Sequence, residues 1–280
     1  MNKILQRLLV FFIGMPLVIS VVAISAYHHI ILHFAIMCCC FISAWELHDL
    51  FAKKFHQFPL PFVLFVSILP SVTGFCCTFF NLPFHYLEFS LIFAFLLILA
   101  FEVFTAHSFE SSIDHILTSF FSVFYAGYLI TFVSRLTIYH HSTIFIATFL
   151  FMIFMCDSLA WLFGVVFGKN NRNIIKASPN KSLAGFFGGY LGSVLAIIIA
   201  KFIWPEVYYG PMIKSIVIGI VMATAGIIGD LVESVLKRCV DCKDSGKIMP
   251  GRGGLLDSID SIIFASPVFY IIVMLFYSKA

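Results

Sequence analysis

The chain has 280 residues, 61% of them hydrophobic and 11% charged, with a formal net charge of +3. A soluble domain carries roughly half apolar and about a quarter charged residues, so the composition excludes a water-soluble globular protein. The net charge itself says little, and no basic stretch with interleaved aromatics of the kind that grips nucleic acid appears.

Crossing a bilayer takes about 20 apolar residues, and the sequence offers nine such stretches, near 8–27, 30–47, 59–80, 88–106, 113–133, 143–167, 183–203, 211–233 and 259–278. The expected fold is all-α, a polytopic integral membrane helical protein. Lys3 and Arg7 precede the first stretch, whose apolar run exceeds the usual 7–15 residues of a signal peptide, so it reads as a spanning helix. Nine spans put the termini on opposite sides. An N-terminus in the cytosol collects Lys53, Lys54, Lys169, Arg172, Lys176, Lys181, Lys237, Arg238, Lys243, Lys247 and Arg252 inside, with Lys3 and Arg7. Only Arg135, Lys201, Lys214 and Lys279 then fall outside, the asymmetry expected of positive-inside loops.

Residues 1–142 read as N-terminal transmembrane scaffold, Phe-rich, with Glu46, His48 and Asp49 at one helix end and isolated Glu88 and Glu102. Six cysteines, from Cys38 to Cys156, fall in apolar spans and read as small hydrophobes. Cys239 and Cys242 form a single C-x-x-C without the second pair that a closed zinc site needs.

Residues 143–280 hold the polar equipment, around cytosolic loops 168–182 and 234–258. Asp157 lies in an apolar helix near its cytosolic end, either as a hydrogen-bonded structural carboxylate or as a substrate contact. Gly164 with Gly168, Gly185 with Gly189 and Gly188 with Gly192 have the small-xxx-small spacing of closely packed helices. Lys181 and Ser182 precede a helix, where spare N–H groups favour an anion and Ser182 is equally a candidate cap. On the eighth span Asp230, Glu233, Ser234, Lys237 and Arg238 line one helical face; a Glu233–Lys237 pair explains part of that stripe but not Asp230. A glycine-rich loop follows, with Lys243, Asp244, Arg252, Gly253 and Gly254, and then Asp257 and Asp260 one turn apart. Carboxylates among basic residues beside such a loop point to phosphoryl chemistry, because Mg²⁺ uses one or two carboxylates together with substrate phosphates.

The run S-x-x-K-R-x4-K-D-x-G-x3-P-G-x-G-G-x-x-D-x-x-D, Ser234 to Asp260, resembles the signature of phosphatidate cytidylyltransferases, or CDP-diacylglycerol synthases. Asp157-Ser158, Phe167-Gly168-Lys169, Ser178-Pro179, Lys181-Ser182 and Gly229-Asp230-Leu231 are similar to its upstream pieces, so the resemblance covers about 150–265. The sequence departs from the family pattern at Arg252, in place of His, at Ser258, in place of Arg, and at Ala184, in place of Glu. The resemblance implies transfer of a cytidylyl group from CTP to phosphatidate, with release of pyrophosphate. It places Mg²⁺ on Asp230 and Asp257, with Lys237, Arg238, Lys243, Asp244 and Asp260 as catalytic residues. Asp157, Lys181, Ser182, Ser234, Arg252, Gly253 and Gly254 are the expected substrate contacts. Expected partners are CTP, phosphatidate and membrane lipids, with a homodimer compatible; the expected location is a bacterial inner membrane, with the site facing the cytosol. A CTP-dependent polyprenol or phytol-type lipid kinase, or a transporter, would use related features. The second would call for inverted repeats, which are not visible.

Overall fold

The computed structural model describes residues 3–249, 251 and 253–277, with side chains from residue 13 onward. Its described regular structure is helical: α1 (Lys3–Ala23), α2 (Ala26–Phe51), α3 (Leu60–Phe79), α4 (His85–Thr105), α5 (Ser112–Ser122), a π-helical turn (Val123–Tyr128), α6 (Thr131–Leu136), α7 (Ser142–Phe167), α8 (Leu183–Ile203), α9 (Met212–Cys239) and α10 (Leu256–Phe276). Eight segments are long and apolar enough to cross a membrane, α5 through α6 counting as one. They coincide with eight of the nine expected spans; the ninth is α1, whose described apolar part is the shorter Ile13–Ala23.

Bare apolar surface fixes the environment of these helices. Val103 and Phe104 on α4 are 75% and 86% exposed, and such side chains are at ease only against lipid. The protein is therefore an integral membrane protein. The chain enters α2 through left-handed residues Tyr27, His28 and His29, a conformation disfavoured for side chains bearing Cβ, so regular helix starts where the sequence places the second span.

The chain divides into two compact units. The first comprises Met1–Ile138 and Cys239–Ile259. Its core gathers Phe58, Val63, Val66, Ala94, Ile98 and Val123, with the Phe62 and Phe101 rings stacked 3.9 Å apart. The π-helical turn falls where Gly127 lies against the Ser67 backbone of α3, leaving no room for a Cβ. The widened turn, with Leu129 N–H donating to Phe124 C=O, accommodates that approach.

The second unit comprises Tyr139–Arg238 and Asp260–Ala280. Its α7 and α8 pack backbone to backbone. Gly188 lies against the carbonyl of Leu159 and Gly192 against that of Met155, the close packing expected of small-xxx-small spacing. α9 joins them through Gly219 on Val194 and a Tyr190–Thr224 hydrogen bond. α10 joins through Gly229, which abuts Ser261 and Phe264, and through Ser261 Oγ donating to Gly226 C=O at 3.0 Å.

Candidate active site

In the second unit, the α7–α8 connection ends at Ser182, whose hydroxyl accepts from Gly185 N–H at 3.0 Å and caps α8. The same hydroxyl occupies the space that a Cβ on Gly168 would need, so capping and helix contact fix each other. The cap holds Lys181 at the helix entrance, where its Nζ meets Asp230 Oδ2 at 2.6 Å. The two side chains are 21% and 40% exposed. Asp260 is buried and feels the negative charges of Asp230 and Asp157 and the positive charge of Lys237. Sequence positions 157, 181, 230, 237 and 260 thus converge, drawn together because α7, α9 and α10 meet along glycine-lined contacts.

One turn above Asp230, the buried Glu233 pairs with Lys237, as the i, i+4 spacing predicts. Ser234 is buried beside them. Arg238 is exposed, and its Nε donates to Ala177 C=O at 3.3 Å, tying α9 to the 168–182 connection.

The first unit holds the glycine-rich loop. Lys243 and Asp244 are exposed. Met249 and Gly253 exchange backbone hydrogen bonds of 2.8 and 3.1 Å, closing a tight turn. Gly253 has φ of +117°, where a side chain is strained, and a Cβ there would also strike Asp257 Oδ2. Asp257 Oδ2 accepts from Ser245 N–H at 2.9 Å, from Ser245 Oγ at 3.0 Å and from Gly254 N–H at 2.8 Å. Asp257 is therefore the anchor of this loop as well as a motif carboxylate. Arg252, an expected phosphate contact, lies outside the described residues.

The sequence reading missed one residue here. Glu46, on α2 in the half read as scaffold, is buried and accepts hydrogen bonds from the Leu255 and Leu256 N–H groups. A carboxylate beside His48 and Asp49 at the end of an apolar helix is the signal that could have found it. Two other carboxylates of that half are paired, Glu88 with Arg135 at 2.7 Å and Glu102 with His115 at 3.0 Å.

No group of three or more His, Cys, Asp or Glu that could hold a metal ion occurs among the described residues. Asp230, a partly exposed carboxylate, is a donor of the kind that Mg²⁺ takes, one or two at a time, with phosphate oxygens and water completing the shell.

Membrane helices carrying clustered carboxylates and ammonium groups at one helix boundary define an integral membrane protein with a charged cluster in its second unit. The sequence profile of the Cytidylyltransferase family matches residues 5–276, and the chain belongs to that family. It is similar to the phosphatidate cytidylyltransferase of Bacillus subtilis, 40% identical over 126 residues, which are 45% of each chain. The phosphatidate cytidylyltransferase of Thermotoga maritima is 40% identical over 119 residues, 41% of this chain and 44% of that one. The uncharacterized protein YnbB of Escherichia coli is 39% identical over 120 residues, 41% of this chain and 37% of the other. The matched part thus spans less than half the length of these curated relatives.

Proposed function

We propose that this protein is a phosphatidate cytidylyltransferase, forming CDP-diacylglycerol and pyrophosphate from CTP and phosphatidate. The observation that carries the proposal is the Lys181–Asp230 pair with Asp260 and Asp157 in range, a cluster of opposite charges where apolar helices meet the α7–α8 connection. Such groups are expensive in a membrane and mark functional sites. Mg²⁺-bound CTP would satisfy both signs of the pair: Asp230 would hold the metal and Lys181 a phosphate oxygen. On the strength of the motif, Asp257 is the second carboxylate assigned to Mg²⁺, which supplies charge neutralisation on the triphosphate.

In the reaction, a phosphatidate phosphate oxygen attacks the α-phosphorus of CTP. The bond from that phosphorus to the β-phosphate bridging oxygen breaks, and pyrophosphate leaves. The attacking oxygen is already ionised near neutral pH, so no general base is needed, and catalysis reduces to positioning and charge stabilisation. Lys237, Arg238 and Lys243 are the cations assigned to that charge. Asp244, Gly253 and Gly254 shape the loop, and Arg252 and Ser234 complete the assigned contacts. Ser182 acts by holding Lys181 in place.

The positive-inside bias supports a cytosolic N-terminus and a site on the cytosolic face, where CTP is found. Lys54 Nζ donating to Cys239 C=O at 3.0 Å is consistent, since it joins two segments assigned to the same side. The bacterial relatives support a bacterial inner membrane, and a homodimer belongs to the same proposal. The test is product analysis of purified protein with CTP, phosphatidate and Mg²⁺. Pyrophosphate and CDP-diacylglycerol are expected; release of CDP with transfer of the terminal phosphate to a lipid alcohol, added in a parallel reaction, would instead assign a lipid kinase, and no nucleotide turnover would sink both readings.

A further inference from the structure

Glu46 is 4% exposed, and a buried carboxylate is tolerated only where hydrogen bonds replace its hydration. Both its oxygens are used. Oε1 accepts from Leu255 N–H at 2.9 Å, and Oε2 accepts from Leu256 N–H at 2.8 Å, with Ser245 Oγ at 3.4 Å. The two N–H groups open α10 and have no acceptor within that helix, and its positive end favours an anion. Gly246 and Gly254 both lie so close to the Glu46 carboxylate that a Cβ on either would overlap it. Ser245, poised against Glu46, is also a donor to Asp257 Oδ2 through both its N–H and its hydroxyl. The end of α2 grips the start of the same loop, with Lys54 Nζ on Cys239 C=O at 3.0 Å and Lys53 Nζ on Cys242 Sγ at 2.8 Å.

We propose that Glu46 is a positioning residue for the transfer reaction: a carboxylate of the N-terminal half that sets the start of α10, and through it the orientation of Asp257. This rests on the assignment of the protein as a phosphatidate cytidylyltransferase. Glu46 touches the loop and acts on substrate only through Asp257. Glutamine at this position keeps the size but offers one acceptor oxygen and turns an NH₂ toward a backbone N–H, so one of Leu255 and Leu256 loses its acceptor. Reacting groups displaced by about 1 Å lose on the order of 100-fold in rate.

The experiment compares wild type, Glu46→Gln and Glu46→Asp, each as full chain in detergent, by steady-state kinetics and by backbone hydrogen exchange. For Glu46→Gln, kcat falls at least tenfold while KM for CTP stays within about threefold of wild type. Faster exchange is confined to residues 245–257, and α3 and α8 exchange as before. Glu46→Asp, which keeps the charge but is one methylene shorter, gives an intermediate kcat. Unchanged kcat in Glu46→Gln, or exchange rising along every helix, overturns the proposal; if Glu46→Gln fails to accumulate, undiminished kcat in Glu46→Asp does so. Wild type without CDP-diacylglycerol synthesis would sink the enzymatic assignment instead, while the exchange pattern still reports whether Glu46 braces the loop.

Discussion

Replacing Asp230 by Asn separates stability from catalysis in one variant. The carboxylate meets Lys181 Nζ at 2.6 Å, but the two side chains are 21% and 40% exposed, so water screens the pair and its contribution is about 0–1 kcal/mol. Removing the Asp230 charge also relieves repulsion on the buried Asp260, which offsets part of that loss. The melting temperature should therefore move by no more than about 4 °C. Transition-state charge stabilisation is a different matter, since deleting one preorganised group costs on the order of 10²–10³ in rate, or about 3–4 kcal/mol. The assay is initial-rate CDP-diacylglycerol synthesis at saturating CTP and Mg²⁺, beside a thermal melt of the same preparation. Activity within tenfold of wild type would refute the assignment of Asp230 to metal-bound CTP. A fall of more than about 10 °C would show that the pair is chiefly structural.

Glu233→Ala removes the buried carboxylate that pairs with Lys237; a melt should register a loss of about 3 kcal/mol, reduced when Lys237→Met is added. Gly192→Ala puts a methyl on the Met155 carbonyl, and the overpacking should cost about 1–3 kcal/mol by denaturant titration. Ser182→Ala removes the α8 cap and should cost about 1 kcal/mol; an unchanged melting temperature would deny the cap any weight. Chelation with EDTA should stop synthesis, with recovery on adding Mg²⁺ and no change in helical circular dichroism. Synthesis that persists in EDTA would remove the metal from the mechanism.

Hydropathy placed the helices because apolar length is a local property. The glycine spacing that joins α7 to α8 and the Glu233–Lys237 pair were both legible as periodicities within one segment. The candidate residues were legible in part through charge placed where it is expensive, as at Asp157 and Asp230, and in part through the ordered motif from Ser234 to Asp260. Arg252 stays a reading of the sequence, since it lies outside the described residues.

Which carboxylate meets which partner is a long-range matter, and no local pattern states it. The sequence offered Lys181 as an anion contact and Asp230 as a metal ligand, and the tertiary structure made them an ion pair across 49 positions. It likewise put segment Cys239–Ile259 into one compact unit with the N-terminal helices, so that Glu46, about two hundred positions upstream, receives the N–H groups of Leu255 and Leu256. Sequence by itself determined the spans, the membrane environment and the family, because these depend on composition and on motifs held along the chain. Only folding decided that a carboxylate in the apolar half serves the glycine-rich loop, because the unsatisfied N–H groups at a buried helix start must take an acceptor from whatever packs against them.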